Sequence, residues 1–192
     1  NDRAVKSIFK VKKRPSNNPI ICHFKDINQI EKYFDLSKFE KKLGLKFWPG
    51  PLTIILKKKK NSKISKLVSN NSNLVGCRIP SNKLANKLIT SFDLPIAAPS
   101  ANLSKRTSVT NIKDIDPILE KKIFVLKDRQ SSYGLESTVV KINNRNKIEV
   151  LRHGSITVEE LNKFAKVKIK EKSSISPGNL KKHYSTLKPI RM

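Results

Sequence analysis

The stretch KVKKRPSNNPIICHF, residues 10–24, places a run of positive charge directly before a short apolar segment. The charges end at Pro15, a polar turn follows, and Ile20 begins the apolar segment. A disordered basic arm is not expected to lead straight into a strand. We therefore predict that these charges lie at the mouth of a folded element, where sites for anions are built.

The rest of the chain alternates between helical and strand patterns. Predicted helices cover 2–11, 26–34, 37–47, 82–92, 111–121 and 157–166. Predicted strands cover 20–24, 50–56, 73–80, 94–99, 123–126, 136–142 and 147–152. The irregular alternation, with some strands adjacent in sequence, predicts an α/β or α+β domain with a mixed central β-sheet.

Bulk composition limits the protein class without identifying a ligand. The 192 residues suit one domain, and we find neither a membrane-spanning run nor a signal-peptide pattern. The net charge of +26 indicates either a polyanionic partner such as RNA, an anionic substrate, or a general compositional bias towards lysine. The two cysteines, Cys22 and Cys77, have no metal-type spacing and favour reduced core residues in a cytoplasmic protein.

Four groups of polar residues interrupt the apolar strands. The first consists of Lys12, Arg14, Asn18 and His23. A lysine supplies a point charge and an arginine supplies a planar fork, and this combination suits a polyphosphate. The alternative is an ordinary surface run of basic residues.

The second group is APSAN, residues 98–102, continued by Ser104 and Ser108. Ser100 and Asn102 alternate, so both side chains can point the same way in an extended chain. Their hydroxyl and amide groups, together with backbone N–H groups, would form a cradle for a phosphate or a carboxylate. An Asn- and Ser-rich turn is the competing interpretation.

The third group lies in YGLESTVV, residues 133–140, where Glu136, Ser137 and Thr138 begin an apolar strand. Ser137 lies outside any Gly-x-Ser-x-Gly pattern and has no evident general base. We therefore predict a ligand-binding hydroxyl for Ser137 rather than a nucleophile.

The fourth group pairs Arg78 of CRIP with Arg152 of LRHG, each in a strand suited to burial. A buried arginine usually has an anionic partner. The chain has 15 acidic residues, so that partner is either a bound carboxylate or phosphate, or a residue such as Glu136. His153 and His183 have no ligand-spaced partners, and no metal site is predicted.

These groups, in this order, resemble the YrdC-type L-threonylcarbamoyladenylate synthases. The matching segments are KxRP…NPIICH, WPGPLT, CRIP, APSANLS, ESTVV, LRHG and SPGNLKKHY. The resemblance implies a twisted mixed sheet flanked by helices around a concave, positively charged cleft. It also implies that L-threonine, bicarbonate (or carbon dioxide) and ATP give threonylcarbamoyl-AMP and pyrophosphate. A partner enzyme would then transfer the threonylcarbamoyl group to adenosine 37 of tRNA.

The resemblance also assigns residues to the two larger substrates. ATP would be bound by Lys12, Arg14, Asn18, Ser100, Asn102, Ser108, Arg152 and Tyr184. Threonine would be bound by His23, Arg78, Ala98 and Ser137. No covalent intermediate is required, so catalysis would rest on positioning and charge stabilisation, chiefly by Lys12 and Arg14. We expect Mg²⁺ to accompany ATP and to be held mainly by its phosphates, because no strong carboxylate pair is evident.

The resemblance further predicts the domain organisation. Residues 1–171 would form a catalytic domain that lacks the family's N-terminal PTETVYGL segment. Residues 172–192 would form a linker towards the second, smaller domain of the family's longer branch. Lys105 and Arg106 stand where a glycine is usual, which would alter closure over the nucleotide.

Two other functions compete with this interpretation. A non-catalytic RNA-binding module would account for the charge, but it predicts exposed aromatics for stacking, and most aromatics here have core spacing. A carbamoyl-transferring module of hydrogenase maturation would share the domain type. Such a module normally lies among zinc-finger modules, and no such cysteine pattern is present.

Overall fold

The structure of the protein is a computed structural model that describes residues 1–104, 106–126, 128 and 134–169. These residues contain one eight-stranded sheet. The strands are β1 (Cys22–His23), β2 (Phe34–Asp35), β3 (Leu52–Lys58), β4 (Leu74–Arg78), β5 (Ile96–Ala97), β6 (Thr138–Ile142), β7 (Ile148–Arg152) and β8 (Val167–Ile169). The α-helices are α1 (Asp2–Lys12), α2 (Ile27–Tyr33), α3 (Lys38–Phe47), α4 (Lys83–Phe92), α5 (Pro117–Glu120) and α6 (Val158–Asn162), and short 3₁₀ turns cover Lys66–Ser69 and Ile112–Asp114.

The sheet is mixed, with the order β5-β1-β4-β3-β6-β7-β8 and with β2 paired to the end of β3. The pairs β1–β4, β3–β6 and β7–β8 are parallel. The pairs β1–β5, β2–β3, β3–β4 and β6–β7 are antiparallel. The predicted mixed central sheet flanked by helices is confirmed.

The helices begin and end where local chemistry dictates. The Asn1 side chain accepts a hydrogen bond from the Ala4 backbone, and Lys13 ends α1 in the left-handed conformation. Ser37 with Glu40, and Thr157 with Glu160, form reciprocal capping boxes at the starts of α3 and α6. The spacing of Thr157 and Glu160 in the sequence predicts such a box, and the structure confirms it.

The core lies on the central strand β3. Leu52, Ile54 and Leu56 have no exposed surface, and Trp48 packs into the same cluster. The Trp48 indole N–H donates to the Leu52 carbonyl at 2.8 Å. The two prolines and the glycine around Trp48 in FWPGPLT predict a packed, rigid corner, and this contact confirms it. This corner fixes the start of β3. The start of β6 lies beside it on one side, and the end of β4 lies beside it on the other.

Both cysteine thiols are free and buried in the sheet, where Cys22 of β1 is the register partner of Cys77 of β4. Burial raises the pKa of the Cys22 thiol to about 12 and raises that of Cys77 well above its usual value. Thiolate is the reactive form, so we expect iodoacetamide to label neither cysteine in the folded protein. Both should react in denaturant, as measured by mass spectrometry; labelling at equal rates with and without denaturant would contradict the burial.

Two predicted elements were wrong. Residues 123–126 form no strand: Phe124 is 91% exposed, and no strand of the described residues pairs with this segment. The helix predicted over 111–121 is instead a 3₁₀ turn followed by α5, because Pro117 occupies the first turn of a new helix that Asp116 caps. The short strands β2 and β8 were not predicted.

No helix in residues 1–104, 106–126 and 134–169 is long and apolar enough to cross a membrane. The predicted domain boundary at 171 and the predicted linker 172–192 lie outside the described residues, and both stay predictions.

Candidate functional site

Residues from three of the four predicted polar groups lie at one end of the sheet. The parallel strands β1 and β4 end together there, with His23 and Arg78 as register partners. On the other side of β1, the Ala98 N–H donates to the Ile21 carbonyl at 3.1 Å, which leads the loop 98–104 away from this end. Strand β6 begins after Ser137, and Arg152 ends the neighbouring β7. Strand topology therefore brings together side chains that are far apart in sequence.

Lys12 joins the basic segment to the loop 98–104. Its side chain is 6% exposed, and Nζ donates to the carbonyls of Ser100 and Asn102. Burial, and then the charge of Arg14, lower the pKa of Lys12 to about 8, against the opposing field of Glu136. Lys12 thus anchors the end of α1 to the predicted phosphate cradle.

Arg14 holds the turn between α1 and β1. Its Nε donates to the Asn18 carbonyl at 3.1 Å, and Nη2 donates to Asn18 Oδ1 at 2.7 Å and to the Pro19 carbonyl at 2.6 Å. Asn18 is buried, and within the described residues its Nδ2 has no hydrogen-bond partner. A buried amide donor in this condition is a candidate contact for a ligand oxygen.

The loop 98–104 is braced from within. Ser100 Oγ donates to Asn102 Oδ1 at 2.5 Å, and Asn102 Nδ2 donates to the Arg106 carbonyl at 2.5 Å. Arg106 forms an ion pair with Asp116, just before α5. The prediction that Ser100 and Asn102 lie on the same side of the chain agrees with their direct hydrogen bond.

His23 and Arg78 form the deeper part of the site. Arg78 Nε donates to the Gly50 carbonyl at 2.9 Å, and burial followed by repulsion from Arg152 lowers the Arg78 pKa. Burial and then the charge of Arg78 lower the pKa of His23 to about 4, although a hydrogen bond with the Ile96 backbone opposes the shift. In the part of the chain that the structure describes, His23 Nδ1 is buried without a partner. A neutral imidazole therefore offers an unused ring nitrogen beside a cation.

A network around Arg152 completes the site. Its Nη1 donates to Glu136 Oε2 at 2.7 Å, and Nη2 donates to the carbonyl and the hydroxyl of Ser137 at 2.8 and 3.0 Å. The Ser137 hydroxyl also lies 2.8 Å from Thr53 Oγ1, and Glu136 Oε1 accepts from Ser108 Oγ at 2.6 Å. The alternative partner considered for the arginine pair is thus present for Arg152, which pairs with Glu136.

The structure brings together most of the predicted residues. His23, Arg78, Ser137 and Arg152 lie at this end of the sheet. Around the turn into β1 and the loop 98–104 lie Lys12, Arg14, Asn18, Ala98, Ser100 and Asn102. The hydrogen bond from Ser108 to Glu136, and the field of Glu136 at Lys12, link the two sets. Tyr184 lies outside the described residues. Thr53 was missed, although a polar residue within the apolar run GPLTIIL was a usable signal. Glu136 was considered only as a possible partner of arginine.

The lowered pKa of His23 gives a test of its buried, neutral state. Between pH 6.5 and 4 the unfolded chain binds a proton at this residue and the folded chain does not, so stability falls as pH falls through this window. We expect the free energy of unfolding to fall between pH 7 and pH 5 by about 2 kcal/mol more in the wild type than in His23→Asn. Denaturant titrations at both pH values measure this; equal falls in the two proteins would show that His23 titrates normally.

The comparisons with known proteins place this geometry in a family. A family model named Sua5_yciO_yrdC and described as "Telomere recombination" matches residues 1–154. The chain belongs to the Sua5/YciO/YrdC family. The resemblance drawn from the seven short segments is therefore confirmed at the level of the family.

Individual members of the Sua5/YciO/YrdC family are similar over most of this chain. The threonylcarbamoyl-AMP synthase of Bacillus subtilis is 36% identical over 99% of this chain and 57% of its own length. The crystal structure of Pyrococcus abyssi Sua5 complexed with L-threonine matches with a TM-score of 0.86 and 31% identity, over 96% of this chain and 56% of that one. This chain thus spans little more than half the length of these two relatives.

A more distant likeness concerns the fold alone. Full-length HypF, in its phosphate- and nucleotide-bound form, matches with a TM-score of 0.67 and 24% identity, over 80% of this chain and 24% of that one. At this identity the match shows that a HypF region shares the Sua5/YciO/YrdC fold.

Proposed function

We propose that this protein is an L-threonylcarbamoyladenylate synthase, which makes threonylcarbamoyl-AMP and pyrophosphate from L-threonine, bicarbonate and ATP. The observation that supports this most is the arrangement of Lys12, Arg78 and Arg152 around Glu136, with the Ser137 hydroxyl bonded to Arg152. All three substrates carry negative charge, and this set supplies cations and neutral donors. The family membership and the names of its similar relatives point the same way.

In this proposal the substrates take neighbouring parts of the site. The ATP phosphates contact the basic segment and the braced loop, through Lys12, Arg14, Asn18, Ser100, Asn102, Ser108 and Arg152, with Tyr184 added from beyond the described residues. Threonine contacts His23, Arg78, Ala98 and Ser137. The unused Nδ2 of Asn18 and Nδ1 of His23 support a ligand on each side.

The chemistry requires positioning and charge stabilisation. The threonine amine attacks the carbon of bicarbonate to give a carbamate with loss of water, and a carbamate oxygen then attacks the α-phosphorus of ATP as pyrophosphate leaves. Cationic side chains that are already in place stabilise the charge on the ATP phosphates and on the threonine carboxylate. Electrostatic catalysis requires this, because the side chains do not have to move as the reaction proceeds. No protein nucleophile takes part.

A magnesium ion fits this site mainly as a companion of ATP. Within the described residues no group of three His, Cys, Asp or Glu side chains could hold a metal. Glu136, the carboxylate beside Arg152, already accepts hydrogen bonds from Arg152 and Ser108. We therefore propose that Mg²⁺ is held by phosphate oxygens, where it would offset their charge.

The product requires a second enzyme. Threonylcarbamoyl-AMP is a mixed anhydride, and we propose that a tRNA-modifying transferase consumes it to modify position 37 of tRNA. The charge of +26 is compatible with a direct contact to that tRNA.

The experiment that tests the proposed function is pyrophosphate release from ATP by the purified protein, with threonine and bicarbonate omitted in turn. We expect release only when both are present, together with a product of the mass of threonylcarbamoyl-AMP. Release that is indifferent to threonine, or none at all, would overturn the proposal. Salt-sensitive tRNA binding without ATP turnover would then favour the RNA-binding module.

A further inference from the structure

Glu136 is a carboxylate in a site built for anions. It lies just before β6. The pKa values of Lys12 and Arg78 are both lowered, and the negative charge of Glu136 offsets part of each shift. A negative charge at this place repels a triphosphate, so its presence calls for a separate physical reason. The carboxylate of a substrate-binding pocket either receives a cationic group of the substrate or holds protein groups in place.

The contacts of Glu136 favour the second reason. Oε2 accepts from Arg152 Nη1 at 2.7 Å, while Oε1 accepts from Ser108 Oγ at 2.6 Å. Each carboxylate oxygen is thus engaged by a different element, the end of β7 on one side and the loop after Asn102 on the other. The Arg152 side chain is 9% exposed and that of Glu136 is 24% exposed, so solvent screens this pair only in part.

The Glu136 contact also fixes the plane of the Arg152 guanidinium. With Nη1 on Glu136, the guanidinium turns Nε and Nη2 to the Ser137 carbonyl, at 3.2 and 2.8 Å, and Nη2 reaches the Ser137 hydroxyl. A planar guanidinium that is bonded through Nη1 on one side and through Nε and Nη2 on the other is held in one orientation. Ser137 lies on the threonine side of the proposed site and Ser108 on the ATP side, so Glu136 connects the two.

We propose that Glu136 is a positioning residue that ties the ATP-side loop at Ser108 to Arg152 and Ser137, so that both substrates meet a preformed site. This inference rests on the proposed function for its kinetic consequences. The tie itself is a property of the folded chain, and it can be measured without catalysis.

The kinetic test uses three variants. Glu136→Ala removes both contacts, Glu136→Gln keeps one neutral acceptor, and Ser108→Ala removes the loop contact alone. We expect Glu136→Ala to raise KM for ATP and for threonine about tenfold each, and Glu136→Gln to lie in between. Ser108→Ala should raise KM for ATP alone. Glu120→Gln, the same chemical change at an exposed position of α5, is the matched control and should leave both values unchanged.

The structural test uses trypsin on the folded protein. Cleavage after Arg106, identified by mass spectrometry, reports release of the loop that carries Ser108. We expect about tenfold faster cleavage in Glu136→Ala and in Ser108→Ala, and no further increase in the double variant, because both changes break one hydrogen bond.

The outcomes separate the tie from the proposed function. If the wild type forms no adenylate but the variants are cleaved as expected, the proposed function fails and the tie stands. If Glu136→Ala lowers kcat with unchanged KM values and unchanged cleavage, Glu136 acts only in the transition state and does not hold the substrate sites in place, and the inference is wrong. Additive increases in the cleavage rate of the double variant would also overturn the inference, because Glu136 and Ser108 would then hold the loop through two independent contacts.

Discussion

Replacing Gly154 by alanine is expected to destabilise the fold and to lower the rate of pyrophosphate formation sharply. A Cβ at this position would lie 2.3 Å from the Glu136 carbonyl oxygen, 2.5 Å from the Thr138 nitrogen and 2.6 Å from the Ser137 carbonyl carbon. All of these are backbone atoms, so no side-chain rotation relieves the overlap. The chain after β7 must instead move away from the start of β6.

That movement would act on both stability and the site. Overpacking of this kind costs about 1–3 kcal/mol or more in the free energy of unfolding, which a denaturant titration measures. Because Glu136 and Ser137 would shift with the backbone, we expect catalytic efficiency to fall on the order of a hundredfold or more even where the variant is folded.

Gly134 provides the matched control for Gly154→Ala. A Cβ added there meets no atom of the described residues within 4 Å. Gly134→Ala should therefore leave both the unfolding midpoint and pyrophosphate formation close to the wild type. If Gly154→Ala behaves like Gly134→Ala, the close approach of the chain after β7 to the start of β6 is wrong.

Arg152→Ala is expected to have the second large effect. The substitution removes the donors to Glu136 and to both oxygens of Ser137, and it leaves the Glu136 carboxylate without its charged partner. Breaking such a pair on one side costs about 3–5 kcal/mol when it is buried, and partial exposure of Glu136 reduces that figure. We expect kcat/KM for ATP to fall by two to three orders of magnitude, on the order of 3–4 kcal/mol in transition-state binding.

Two further variants make the Arg152 experiment specific. Arg152→Lys keeps the charge but offers a point donor in place of a fork, so it should recover only part of the activity. Arg145→Ala removes an exposed arginine from the turn between β6 and β7 and should have no effect. A wild-type rate in Arg152→Ala would show that the arginine serves neither substrate, whereas an equal loss in Arg145→Ala would indicate that net charge, not the site, controls the rate.

Sequence patterns predicted the elements whose residues carry their own signals. The capping box at Thr157, the corner at Trp48 and the apolar run of β3 each depend on residues within a few positions of one another. The mixed sheet followed from the order of such elements. The strand predicted at 123–126 was wrong because apolar residues alone do not supply a partner strand. Phe124 is 91% exposed, and among the residues that the structure describes no strand pairs with this segment.

The members of the site were predictable, but their mutual contacts were not. Lys12 and Arg14 were expected to face a polyphosphate, and the structure shows them bonded to carbonyls of the loop 98–104 and of the turn at Asn18. The Lys12 contacts depend on the three-dimensional approach of segments about 90 residues apart, for which one sequence holds no signal. The Arg14 contacts are local, four or five residues along the chain. Glu136 could be considered as a partner of an arginine, yet its bond to Ser108 needed coordinates.

The register of β1 on β4 also limits how the chain can change in length. His23 faces Arg78 because each is the last residue of its strand, and successive side chains of a strand point to opposite faces. A single-residue insertion between Pro15 and Ile21 that slid β1 along β4 would turn the imidazole to the far face and put a neighbouring side chain beside Arg78. The turn at 143–147 lies outside the site, so insertions there would leave these contacts in place. In functional variants of this chain, insertions and deletions should therefore occur in the β6–β7 turn and not in the connection that leads into β1.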